Sequence, residues 1–197
     1  MGSFHFLKSL ENINKKNKSE NKKTLKPIIG ITLNVCEDHL DRSRRDDGYQ
    51  IVFIAKNKKG YKNLSKLSSL AYTKGFYYVP RVDKNLVLNF KEDLIVLTGN
   101  TYGEVSSKLL NIGEKQAEES LLWWNKHFKD DLYIEIMRHN LEDENRINPV
   151  LIKFSVKHKI KLVATNSVFY LTKEQANSHD ILLCVKDGEK QSTPIGR

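Results

Sequence analysis

Residues 131–140 read D-L-Y-I-E-I-M-R-H-N and lie between two segments of strong helical character. Alternation along a strand puts Leu132, Ile134 and Ile136 on one face and Tyr133, Glu135, Met137 and His139 on the other. One face suits a layer of helices, while the other carries an acid and an imidazole. Inner strands of α/β folds offer such residues to metals or phosphates at their carboxyl ends, because the loops leaving that end form the site. The plainer alternative is a salt-bridged glutamate and a turn-capping histidine, and the stretch by itself leaves both open.

The flanking sequence extends the pattern. Residues 27–35 (P-I-I-G-I-T-L-N-V), 49–56 (Y-Q-I-V-F-I-A-K), 93–99 (D-L-I-V-L-T-G) and 161–166 (K-L-V-A-T-N) are further β-branched runs that predict strands. Apolar residues at helical spacing predict helices over 1–13, 61–73, 104–111, 114–129, 142–158 and 173–185. Their inward stripes are Leu64, Leu67, Leu70 and Ala71, then Ala117, Leu121, Trp124 and Phe128, then Ile147, Leu151, Phe154 and Val156. Residues 76–81, with three aromatics beside Arg81, are expected to be irregular. Strands followed by helices across short joints predict parallel crossovers and an α/β barrel-like sheet.

Charge raises a second possibility. The 197 residues carry a formal net charge of +9, which suits an anionic partner such as nucleic acid. Residues 14–26 (N-K-K-N-K-S-E-N-K-K-T-L-K) have no hydrophobic period and read as a basic, solvated insertion loop. Lys15, Lys16, Lys22 and Lys23 there, with Arg42, Arg44 and Arg45 further on, are the candidate nucleic-acid contacts. The same Lys/Asn richness is also what AT-rich coding writes on any protein. Residues 37–48 place His39 among Asp38, Asp41, Asp46 and Asp47, which invites a metal reading; the interspersed arginines favour a solvated connection with internal ion pairs. Cys36 and Cys184 form no C-x-x-C, and no run approaches the ~20 apolar residues of a membrane span. The expectation is a soluble, cytoplasmic chain without a membrane partner.

Five runs then carry a resemblance. D-G-Y-Q-I-V-F-I-A-K-N-K-K-G-Y-K-N-L (47–64), L-T-G-N-T-Y-G-E-V (97–105), Y-I-E-I-M-R-H-N (133–140), L-V-A-T-N (162–166) and H-D-I-L-L-C-V-K-D-G (179–188) resemble, in order and spacing, the PHP (polymerase and histidinol phosphatase) domain of bacterial DNA polymerase III α subunits. The resemblance implies that residues 1–197 are a partial domain of this kind. Its fold would be a distorted seven-stranded β/α barrel, incomplete because the first strand or strands and an H-x-H motif would lie ahead of Met1. The polymerase palm, fingers and thumb would lie beyond Arg197. In metal-binding members two or three divalent ions sit at the carboxyl ends of the strands, and some members are similar to metal-dependent 3′–5′ exonucleases.

Carried over residue by residue, the resemblance keeps His139 and His179 as metal positions, with Glu135 as an acid nearby. It places Thr32 and Asn177 where acids are expected and Phe169 where many members have histidine. A divalent ion needs anionic or imidazole ligands in number, so these three residues read as vestigial. The expectation is a scaffold for polymerase and proofreading functions with no cofactor of its own. Its partners would be the rest of the polymerase α chain, a proofreading exonuclease and DNA, with Mg in the parent polymerase. The alternative is a metal-dependent phosphoesterase or 3′–5′ exonuclease using Zn or Mn at Glu135, His139 and His179. A third possibility is a basic nucleic-acid-binding module.

Overall fold

The computed structural model describes residues 2–192. The helix start expected at Met1, and the tail at 193–197 from which the resemblance expects the chain to run on, lie outside them. Two compact units divide the chain, residues 1–164 and 165–197.

In the first unit the sheet is built from β1 (Gly30–Cys36), β2 (Tyr49–Ala55), β3 (Arg81–Asp83), β4 (Leu94–Leu97), β5 (Leu132–Ile136) and β6 (Lys161–Ala164), in the order β3-β1-β2-β4-β5-β6. β2 runs antiparallel to both its neighbours, β1 and β4; the pairs β1 with β3, β4 with β5 and β5 with β6 are parallel. The carboxyl ends of β1, β3, β4, β5 and β6 therefore share one edge of the sheet. Of the parallel crossovers expected, the step from β1 to β2 is an exception: β1 returns through the 37–48 loop straight into its neighbour, and no helix is interposed to carry a crossover. Among the described residues the sheet is open rather than closed into a barrel.

Seven helices occur among the described residues: α1 (Gly2–Ser19), α2 (Lys58–Thr73), α3 (Lys84–Asn89), α4 (Glu104–Asn111), α5 (Glu114–Phe128), α6 (Glu142–His158) and α7 (Ala176–Asp187). Alternation sends Leu33, Val35, Ile51, Phe53, Val96, Leu132 and Ile134 to one face of the sheet. There they meet Leu64 and Leu67 of α2, Leu121 and Trp124 of α5, and Leu151 and Phe154 of α6. Each such fully buried side chain contributes about 1.5–3 kcal/mol. Asn57 caps α2, its side chain accepting from the amides of Lys59 and Gly60. Gly99, at φ +83°, turns the chain from β4 toward α4, and a Cβ there would run into the carbonyl of Gln50.

Several expectations are corrected. The helix expected over 1–13 continues through Ser19, so the loop expected over 14–26 is helical in its first part. Asn14 explains this: its side chain donates to the Leu25 carbonyl and accepts from the Leu25 amide, both at 2.8 Å, folding the following segment back along the helix. β3 meets the stretch expected to be irregular only at Arg81, and α3 lies in residues for which no element was expected; the Asp83 carboxylate caps α3 by accepting from Leu86 N. β5 stops at Ile136, short of His139. Val156, expected inward, is exposed. No helix of the described residues is long and apolar enough to cross a membrane.

In the second unit a 3-10 turn (Lys173–Gln175) leads into α7. Thr172 and Gln175 form a capping box at its start.

Candidate functional site

Glu135 lies near the end of β5, almost wholly buried, and its amide donates to Thr98 Oγ1 at 3.0 Å. The strand then gives way to an irregular link in which Asn140 takes a left-handed backbone (φ 62°). This brings His139 back over the start of α6. Glu144, in the first turn of α6, meets it twice: one carboxylate oxygen accepts from the His139 amide at 2.5 Å, and the other lies 2.6 Å from the ring Nδ1. A carboxylate at Nδ1 favours the proton on that nitrogen and fixes the orientation of the ring. Burial pushes the Glu144 carboxyl up, but the ring and amide of His139 outweigh it and hold the group below the usual carboxylate range.

The other sequence-predicted positions fall on β1 and in the second unit. Thr32 is exposed on β1, paired with Val52 and separated from β5 by β2 and β4. His179 and Asn177 belong to the second unit. There the His179 ring packs against Phe169 and Tyr170, with centroids 5.2 and 5.6 Å away. The Asn177 carbonyl oxygen accepts from the Gln191 side chain at 2.6 Å.

A second cluster sits where β1 and β3 end. Asp38, His39 and Asp83 bring ligand-type atoms within 4.8 Å of one another, and His39 Nδ1 lies 2.5 Å from Asp83 Oδ2. One imidazole and two carboxylates are a donor set suited to a divalent ion. These donors also have protein partners. Asp83 Oδ1 accepts from Leu86 N and Asp38 Oδ1 from Leu40 N. Beneath the loop lies the buried Arg81 guanidinium, which donates to the carbonyls of Asp41 and Asp46 at 2.8 and 3.0 Å. A fixed cation so close works against a second one. Burial also raises the Asp83 carboxyl, yet the Leu86 amide and His39 bring it below its ordinary value. Nearby, burial pushes the Cys36 thiol up to about 11, and its Sγ donates to the Val82 carbonyl at 3.3 Å. That describes an inert thiol.

Sequence reasoning passed over Asp83 and Glu144. Both had a signal: an Asp directly before K-N-L-V-L is a helix cap, and an acid in the first turn after H-N can reach back to that histidine.

Most of the basic residues singled out from sequence are already neutralised. Arg44 pairs with Glu37, and Arg45 reaches Asp47 through Nε at 3.0 Å and Nη2 at 2.7 Å while stacking on Tyr78. Lys16 and Lys22 both approach Glu20, whereas Lys15, Lys23 and Arg42 are exposed and have no carboxylate partner among the described residues.

Comparison with known proteins adds a consistent picture. A family described as the PHP domain matches residues 1–139. The chain is 39% identical over 181 residues to the DNA polymerase III subunit alpha of Campylobacter jejuni, covering 86% of this chain and 15% of that protein. It is 35% identical over 179 residues to the Borreliella burgdorferi protein of the same name, covering 89% and 16%. With the Aquifex aeolicus protein, also of that name, it shares 36% over 195 residues, covering 94% and 16%. The chain thus spans about 15% of the length of the curated relatives it matches.

Proposed function

The chain belongs to the PHP domain family, and from that premise we propose that it serves DNA replication as the PHP portion of a DNA polymerase III α subunit, a structural scaffold without catalysis of its own. The observation that carries the silent reading is the pair of neutral side chains, Thr32 and Asn177, at positions where the family resemblance expects acids. Each missing carboxylate removes charge that would offset the hydration a divalent ion gives up on binding. Thr32 is exposed, and the Asn177 side chain holds Gln191. On this reading the residues of the first unit position one another rather than a metal cluster: Glu144 orders the turn that joins β5 to α6, and Asp83 ties the 37–48 loop to α3. Partners of the scaffold would be the remainder of a polymerase chain, a proofreading exonuclease and DNA, in the cytoplasm; the parent polymerase would use Mg.

A second reading keeps a metal-dependent phosphoesterase or 3′–5′ exonuclease at Glu135, His139 and His179, with Zn or Mn supplying a Lewis acid and an activated water. The carboxylate of Glu144 on His139 Nδ1 favours it, since metal-binding histidines are oriented this way. Elemental analysis of the purified chain separates the two. The scaffold reading expects substoichiometric metal that is indifferent to substitution. Stoichiometric Zn or Mn lost in both His139→Ala and His179→Ala would overturn it.

A further inference from the structure

The end of the sheet holds a cavity of about 720 Å³ between the 37–48 loop, Tyr49, Lys84, Glu104 and Lys108, and none of Glu135, His139 or His179 lines it. Its floor is built from charge. Glu104, the first residue of α4, has only 5% of its side chain exposed. Lys84 Nζ and Lys108 Nζ both contact its Oε1 at 2.8 Å. The indole Nε1 of Trp124 donates to Oε2 at 2.8 Å. Burial raises the Glu104 carboxyl, but Lys84 and Lys108 outweigh it and keep the group below the usual carboxylate range, so it is ionised. Two ammoniums against one carboxylate leave a positive charge over.

Both ammoniums are held in place. Lys84 Nζ lies 4.5 Å from the centroid of the Trp123 ring, and Lys108 Nζ reaches Ser120 Oγ at 2.7 Å. Of three donors each, Lys84 uses one and Lys108 two in hydrogen bonds among the described residues. Two of the acids on the opposite wall are paired with cations of their own, Glu37 with Arg44 and Asp47 with Arg45, so the excess positive charge is local to Lys84 and Lys108. Asp46 accepts from the amides of Glu37 and Gly48, with the Arg81 guanidinium bonded to its own carbonyl.

We propose that this cavity binds a phosphoryl group, monoester or diester, between Lys84 and Lys108. A phosphate oxygen takes up the unused ammonium donors and completes the charge balance that Glu104 leaves open. The cavity is roomy enough for a nucleotide, so the group can come from free phosphate, a mononucleotide or a DNA strand.

The only two tryptophans of the chain, Trp123 and Trp124, both lie beside Lys84, and Trp124 also donates to the Glu104 carboxylate that Lys108 contacts, so intrinsic fluorescence reads the site. The 197-residue chain is titrated with inorganic phosphate, with thymidine monophosphate, and with an oligothymidylate with and without a 5′-phosphate. A saturable change in emission is expected, weakened about tenfold or more in both Lys84→Met and Lys108→Met and largely retained in Lys84→Arg, which keeps the charge. Saturation by phosphate alone assigns a small-anion site. Saturation only by the oligonucleotides, independent of the terminal phosphate, assigns the backbone of a strand, and a steep salt dependence accompanies it. Near-UV circular dichroism establishes that each variant is folded. No saturable response in the folded parent chain, or one unchanged in both methionine variants, overturns the proposal.

Discussion

Glu104 and Glu144 are buried to nearly the same degree, with 5% and 7% of their side chains exposed, yet they hold their charges in different ways. Glu104 gathers two ammoniums, from Lys84 just after β3 and Lys108 one turn along α4, together with the indole of Trp124 in α5. Glu144 is satisfied locally, chiefly by His139 five positions away through its amide and its ring, with the Leu141 backbone adding to it. The first carboxylate therefore ties distant segments together with cations that stay charged at neutral pH. The second fixes a local turn through the one side chain whose charge changes near neutrality.

The harshest way to break this contrast is Glu104→Ala. It leaves the Lys84 and Lys108 ammoniums without their shared carboxylate and Trp124 Nε1 without its acceptor, so a loss of about 3–5 kcal/mol is expected from urea unfolding midpoints at neutral pH. Glu144→Ala should cost less, about 1–3 kcal/mol, since the amide and ring of half-exposed His139 can turn to water. If the two losses are equal, the division into spanning and local networks fails. In the same Glu144→Ala protein, nitrogen NMR of the His139 ring should show the proton no longer confined to Nδ1.

The sequence shows one of these networks better than the other, for a physical reason. Glu144 and His139 are near neighbours, so the turn can be drawn from local rules once β5 and α6 are placed, and α6 is bounded in the sequence where it is in the structure, at Glu142–His158. The alternation of Leu132 and Ile134 and the Leu121 and Trp124 stripe of α5 were equally legible, because each depends on one element's own period. Glu104 with Lys84 was not, as nothing local says that residues 20 apart on separate elements meet. β3 was hidden by its brevity: Arg81, Val82 and Asp83 are too few to show a period. The antiparallel course of β2 was hidden by its connection, a long acidic and basic loop in which the one hairpin-type dipeptide, Asp47-Gly48, sits at the far end rather than directly between the two strands. The resemblance to a family supplied the candidate metal positions, but it could not show that His179 would pack on Phe169 and Tyr170.

Acid sharpens the comparison with a smaller effect. Both carboxylates are held below their ordinary range in the folded chain. Each therefore contributes stability that is present above the unfolded carboxylate value and is lost as pH falls through the lower, folded one. Glu104→Gln removes this proton uptake at the spanning network, so the loss of unfolding free energy between neutral pH and acid should be smaller than in the parent, by on the order of 1 kcal/mol. A parent and variant with parallel acid limbs would mean that other groups govern acid unfolding and that Glu104 is not the ionised centre described above.

The smallest expected effect concerns the exposed arginines of the 37–48 loop. Arg44 and Arg45 are each spent on a carboxylate of their own loop, Glu37 and Asp47, and both pairs face solvent. Exposed pairs gain little, because water screens the attraction and two long side chains must be held still. A DNA strand approaching them would first have to displace those carboxylates or accept them as neighbours of like charge. Arg44→Ala and Arg45→Ala are therefore expected to leave oligonucleotide affinity, measured by fluorescence anisotropy at low salt, within about twofold of the parent. Substituting the unpaired Lys15 and Lys23 together should flatten the slope of affinity against salt, since those ammoniums are available to release counterions from phosphates. A larger effect from the arginines would show that their ion pairs open readily, and that the loop rather than the helical Lys/Asn segment meets the nucleic acid.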